Sequence, residues 1–317
     1  MQMISYSGNG DYCYANSLYM SLLAAGAKAG EVPTPGFLEC LTTLPFGKMY
    51  LRLDEGPLVF FSSSEANPDL GLTLAVQSLG WECEETRGGS AEEALVRLRK
   101  AVQDAPVLAG PLDMGYLTYS PFHRELAGGD HFVLVLAVEE DCVIMHDPMK
   151  YPYASLPLSE FLEAWRADRV GYRSAPYTMR SHFRQVEART RQEMIARALP
   201  TIRHNLSVSL QGPVVYNGVA ALSCLIDDLR ADEKPSSVLE SLATFVFPLA
   251  ARRSLDAAFF LREAGLPDAA QCMQRQAMLA GKAQYLAAHE QWQSVAAIME
   301  QLAEEEQKLL ASLEHSA

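Results

Sequence analysis

Cys13 stands between a glycine-bearing segment, GNGDY, and the run YANSLYMSLLAAGAKA at 14–29. That run carries small and apolar residues at helical spacing as far as Gly30, so it predicts a buried helix beginning directly after the cysteine. A thiol there lies at the positive end of the helix dipole, which favours the reactive thiolate. The N–H groups of a first helical turn can also hold an oxyanion when the thiolate attacks a carbonyl. Gly8 and Gly10 would let a substrate approach the backbone, and the Asn9 amide adds a candidate oxyanion donor. Taken alone, a cysteine beside an apolar helix is more often a small core residue.

A nucleophilic thiol needs a base, and the base needs an acceptor that fixes its tautomer. In GGDHFVLVLAV, His131 follows two glycines at the mouth of an apolar strand, the place for an open cleft. HFVLVLAV (131–138) and CVIMHD (142–147) are joined by Glu139-Glu140-Asp141 and read as a β-hairpin. The start of one hairpin strand faces the end of the next, so His131 and Asp147 should be neighbours. Singly, the histidine reads as structural and the Asp-Pro as a turn former. Together with Cys13 they read as a Cys–His–Asp constellation. Tyr116, Tyr119 and His123, with Phe122, form an aromatic run that could line an acyl or amine pocket or be an ordinary loop. A metal reading of His131, Cys142, His146 and Asp147 fails on geometry. Adjacent strand residues point to opposite faces, so no metal is expected, and no cofactor.

The elements that must carry these residues alternate in type. Strands are expected at 48–53 and 57–61 around the turn Asp54-Glu55-Gly56-Pro57, and a helix at 69–80. Ser90 and Glu93 form a capping box for a helix over 91–103. A strand begins at Val107, a short helix covers 156–165, and a last strand 170–179. After about residue 185 the patterns are helical, over roughly 187–205, 213–231, 236–264 and 267–313. The fold class is α+β, with a catalytic domain at 1–184 and an all-helical domain at 185–317.

The 317 residues carry a formal charge of −13, which argues against nucleic acid and an anionic membrane as partners. No apolar run reaches the roughly 18 residues of a membrane span, and the start lacks signal-peptide features, so a cytoplasmic protein is expected. Six scattered cysteines without a CxxC pair suit free thiols. Six arginines between Arg180 and Arg203 form either a solvated face or a docking patch for an acidic partner. Residues 240–262 and the helical stretch 283–313 suggest a homodimer interface, with plain core as the alternative.

The Cys13 helix, the glycine lead into His131, the hairpin to His146-Asp147-Pro148 and the Trp165 helix resemble the butirosin biosynthesis protein H-like family. They are also similar to the wider papain-like group that includes bacteriocin-processing peptidases. The resemblance covers roughly residues 5–180. It implies a papain-like N-terminal domain and acyl transfer from an acyl carrier protein thioester to a small amine, in natural-product biosynthesis. It assigns Cys13 as nucleophile, His131 as base and Asp147 as orienter. This chain has Tyr12 where such proteins often have a histidine, and Ser7 where the peptidases have an oxyanion glutamine. The oxyanion donor is then Asn9 or backbone N–H groups, with Tyr12 expected beside them at the substrate. A peptidase or amide hydrolase on the same triad, or a non-catalytic helical interaction protein, are the alternatives.

Overall fold

The computed structural model describes residues 3–8, 11–54, 56–232 and 236–314. Its first elements are α1 (Cys13–Ala24), α2 (Pro35–Leu41), β1 (Met49–Leu51), β2 (Leu58–Phe60), α3 (Pro68–Leu79), β3 (Trp81–Thr86) and α4 (Ala91–Asp104). Next come β4 (Val107–Asp113), β5 (Asp130–Val138), β6 (Cys142–Asp147), β7 (Tyr151–Pro157), α5 (Leu158–Arg166) and β8 (Met179–Gln185). The remainder is α6 (Arg191–Ser207), β9 (Val215–Asn217), α7 (Gly218–Arg230), α8 (Ser236–Ser241), α9 (Phe247–Glu263), α10 (Pro267–Ala288) and α11 (Trp292–Glu314). The protein is thus mixed α and β, with a sheet in its N-terminal part and helices in its C-terminal part.

The chain forms two compact units. The first takes residues 1–38 and 79–188. Its antiparallel sheet runs β3-β8-β4-β5-β6-β7. Strand β5 is apolar at successive positions because both of its faces are covered. Val133 and Val135 join a core with Leu98, Phe161 and Trp165, while Leu134 and Leu136 join one with Ile4 and Met20. Helix α1 is fastened to that second face. Ser17 donates to the Phe132 carbonyl at 3.1 Å, and Tyr14 packs edge-on against the Phe132 ring.

The second unit takes residues 39–78 and 189–317. The division expected at 184/185 therefore differs in two respects: 39–78 goes with the helices, and the later boundary falls at 188/189, past the end of β8. Strand β1 pairs on one side with β2 and on the other with β9. Tyr50, Val59 and Phe61 bury among Leu222, Leu225, Phe247, Val295 and Leu302. Charges are buried here as well. Lys48 donates to Glu306 at 2.5 Å and to Gln276 at 2.8 Å, and Arg253 pairs with Glu39 at 2.9 Å. One side of the 240–262 run is core, with Phe247, Ala250, Ala257, Phe260 and Leu261 buried, while Leu255 and Phe259 are exposed.

Several elements differ from expectation. The helix expected at 156–165 is α5, Leu158–Arg166, but the strand β7 that runs directly into it was not expected. The last strand of the sheet is Met179–Gln185 rather than 170–179. That strand is held by charge: Arg180 and Arg184 reach Glu85 and Glu82 of β3, both at 2.8 Å, so no apolar alternation marks it. The region 213–231 opens with the short strand β9. The stretch 267–313 is two helices broken at Glu290, whose φ of 55° ends α10 among residues that all favour helix. The capping box of α4 forms as expected, with Glu93 N–H to Ser90 Oγ at 3.2 Å and Ser90 N–H to Glu93 at 2.8 Å. Among the described residues, no helix is long and apolar enough to cross a membrane.

Candidate active site

Cys13 is the first residue of α1 and is partly exposed. Tyr12 before it is left-handed, at φ 69° and ψ 41°, and no side chain caps the helix. A non-glycine residue held there costs about 1–2 kcal/mol, so neighbours must enforce it. Asn16 does so from inside the helix. Its amide donates to the Tyr12 carbonyl at 2.9 Å and the Asp11 carbonyl at 3.4 Å, and its oxygen accepts from Ser7 Oγ at 2.8 Å. The thiol is thereby presented at a sharp turn ahead of a buried helix.

Helix α1 sets Cys13 over the start of β5, where its thiol meets the side chain of His131. His131 Nε2 lies 2.5 Å from Asp147 Oδ1, and both residues are 2% exposed. With Nε2 on the carboxylate, Nδ1 is left for the thiol. The hairpin register explains the meeting. Leu134 is opposite His146, so one step on puts Asp147 opposite Val133, diagonal to His131 on the same face. Both oxygens of the Asp147 carboxylate are engaged. Oδ1 also accepts from Met149 N–H at 2.7 Å, and Oδ2 accepts from the Tyr119 hydroxyl at 2.6 Å. Tyr6 donates to the Asp147 carbonyl at 2.8 Å and accepts from Lys150 N–H at 2.9 Å, strapping the N-terminal segment across the turn.

Burial alone would raise the Asp147 carboxyl, but the His131 charge and three hydrogen bonds hold it below its ordinary value. Burial works against a charged His131, yet Asp147 and Cys13 outweigh it and raise the imidazole well above its ordinary value. Burial pushes the Cys13 thiol up, while the facing His131 pulls it down by charge and hydrogen bond. The arrangement is therefore a buried anion, a stabilised imidazolium and a thiol whose ionisation depends on that imidazolium.

The loop between β4 and β5 contributes Tyr116, Tyr119 and His123. Asp113 gathers its ends: Oδ1 accepts from the N–H groups of Gly115 and Gly128, both at 2.9 Å, and Oδ2 from Arg169 at 2.6 Å. Tyr116 lies under the Arg169 guanidinium, and the Tyr119 hydroxyl reaches Asp147. His123 Nδ1 is 3.3 Å from the Ser120 carbonyl within the loop. Tyr12 is buried, and Asn9 lies outside the described residues. His131 is not at an open cleft but enclosed, because α1 covers the strand end.

His146 points away from the pair. Tyr153 N–H donates to its Nδ1 at 3.1 Å, so Nε2 carries the proton and donates to the Ile4 carbonyl at 3.2 Å. Among the described residues no cluster of histidine, cysteine and carboxylate suits a metal ion. The arginine-rich stretch is largely spent on intramolecular partners. Besides Arg180 and Arg184, Arg191 forms a two-pronged pair with Glu263 at 2.7 and 2.9 Å, and Arg189 donates to the Gln77 and Ser78 carbonyls.

Comparison with known proteins adds a relationship. The chain is 30% identical over 262 residues to the uncharacterized protein YobF of Bacillus subtilis (strain 168), an alignment covering 82% of each chain. The model of the YobF C-terminal domain matches residues 212–314. The chain belongs to the YobF family. In this YobF-family protein the matched C-terminal segment spans β9 through α11, within the second unit. Sequence reasoning missed Asn16, which fixes the turn before Cys13, Tyr6, which bonds the Asp147 carbonyl, and Asp113, which clasps the loop bearing Tyr119. A buried asparagine inside an apolar helical run was the one visible signal, and it belonged to Asn16.

Proposed function

We propose that this protein is a papain-like cysteine acyltransferase that moves an acyl group from a thioester, through acyl-Cys13, to a small amine. The reading rests on one observation: His131 meets the Cys13 thiol while its Nε2 is 2.5 Å from the buried Asp147 carboxylate. The resemblance to butirosin-type proteins supplies the donor class, an acyl carrier protein thioester. In the first step the Cys13 thiolate attacks the thioester carbonyl, and backbone N–H groups at the start of α1 face the oxyanion. The intermediate collapses by breaking the bond to the donor sulfur, which leaves as a thiol with the proton from His131. In the second step the amine attacks acyl-Cys13 and gives its proton to His131, and the amide is released as Cys13 regains its thiolate. Enclosure of His131 and Asp147 favours an amine over water as acceptor, because a desolvated site limits hydrolysis. The six free cysteines fit a reducing cytoplasm.

The test is intact-protein mass after exposure to a panel of acyl carrier thioesters and peptides, followed by addition of amines. Wild-type protein should gain one acyl group on Cys13 from a thioester and lose it faster to an amine than to water. Cys13→Ala should gain none. Release as free acid, whatever amine is present, would move the assignment to a hydrolase. If no probe acylates Cys13, and Cys13→Ala matches wild type throughout, the non-catalytic alternative takes over.

A further inference from the structure

Tyr119 comes from the loop that Asp113 clasps at Gly115 and Gly128, and its ring packs edge-on to Tyr151 at 5.3 Å. Its hydroxyl reaches Asp147 Oδ2 at 2.6 Å. Asp147 Oδ1 is occupied by His131 and Met149 N–H; among the described residues Tyr119 is the sole donor to Oδ2. An aspartate's terminal torsion is soft, so a carboxylate held through one oxygen can swing, whereas one held through both cannot. We propose that Tyr119 is a positioning residue whose hydroxyl locks the Asp147 carboxylate against His131, so that the 114–129 loop governs whether the thiol has a charged partner. The inference rests on the reading of Cys13, His131 and Asp147 as one working unit.

The physical case has three parts. Without the hydroxyl, Oδ2 is a buried charged oxygen with no donor, so Asp147 must turn away or take a proton. Either response strips His131 of its anion. The hydroxyl is also a dependable donor, since burial and the Asp147 charge hold the phenol well above its ordinary value. Finally, the ionisable groups around the pair are few. Cys13 faces His131 from α1, Asp130 lies beside it on β5, Tyr6 comes from the N-terminal segment and Tyr151 from β7. Of these, Tyr6 is committed to the Asp147 carbonyl and Asp130 accepts from Tyr172, so neither supplies a donor to Oδ2.

The experiment is Tyr119→Phe in the full chain, read by the imidazole proton titration of His131 in NMR and by the pH dependence of Cys13 alkylation with iodoacetamide. The His131 midpoint should fall by about one pH unit and the Cys13 midpoint should rise, with alkylation near neutral pH slowed about tenfold. An unchanged or raised His131 midpoint in a folded variant overturns the proposal, since a purely structural tyrosine would alter melting alone. Arg169→Gln, which loosens the Asp113 clasp from a partly exposed position, should shift both midpoints the same way by less. It serves if Tyr119→Phe does not fold, and no shift there counts against the proposal. Wild-type Cys13 that alkylates no faster than a free thiol would sink the nucleophile reading, leaving the His131 titration to decide Tyr119 separately.

Discussion

A carboxylate and an imidazole 2.5 Å apart and almost wholly enclosed make stability depend on pH in a defined window. Asp147 is held below its ordinary 3.8, so its contribution is complete above 3.8 and fades as pH falls through the lower, folded value. His131 is held above its ordinary 6.5, so its contribution is complete below 6.5 and fades as pH rises through the higher, folded value. Asp147→Asn should therefore lose most stability between those limits and flatten the alkaline decline, checked by urea unfolding across pH. A loss of about 3 kcal/mol near pH 6 is expected for breaking a buried pair. Asn16→Ala should cost about 2 kcal/mol, since it removes bonds to Tyr12, Asp11 and Ser7 together. The same variant should slow Cys13 alkylation as the turn relaxes. Cys13, His131 and Asp147 were legible because loop, helix start and hairpin are all local signals. Tyr119 was legible as an aromatic but not as the donor to Asp147, because 28 positions and the Asp113 clasp separate them.

At the level of elements, the hairpin could be read because β5 faces apolar partners on both sides. Strand β8 could not, since its partner across the edge of the sheet is a row of glutamates and its pattern is polar. Strand β7 was hidden because its apolar residues run directly into α5, and only the helical half of that run has a recognisable period. The N-terminal strap depends on close backbone approach. A Cβ on Gly8 would meet the Pro148 carbonyl oxygen at 2.4 Å and Cα at 2.5 Å. Gly8→Ala should lift the strap, with a loss of about 1–3 kcal/mol. Hydrogen exchange should show faster exchange at Lys150 N–H, which is bonded to Tyr6. Unchanged exchange there would mean that the strap tolerates the methyl group.

On the scale of the whole chain, the second unit is built around a charge it has buried. Lys48, Gln276 and Glu306 come from three distant parts of the sequence and are nearly inaccessible. Lys48→Met should destabilise by about 3–5 kcal/mol because it strands the Glu306 carboxylate. Adding Glu306→Leu should recover most of that loss, as measured by equilibrium denaturation of both variants. A fragment of residues 189–317 should fail to give a cooperative thermal transition, since Tyr50, Val59 and Phe61 of the same core are missing from it. Supplying a peptide of residues 39–78 should restore one. The discontinuity escaped sequence reading because two short strands beside a run of alternating elements look like more of the same sheet. The pairing of β1 with β9 and the burial of Tyr50, Val59 and Phe61 among the helices reveal where they belong.

That interleaving has a consequence for how the protein is made. Residues 39–78 leave the ribosome well before the helices that cover them, and the first unit closes once residue 188 has emerged. At about 5–20 residues per second, the apolar side chains of β1 and β2 then wait on the order of ten seconds for α7, α9 and α11. Through that interval the nascent chain carries a finished sheet and an unfinished core at once. Its yield in a cell should therefore respond to translation speed and to chaperones that bind exposed apolar strands, more than its final stability would suggest.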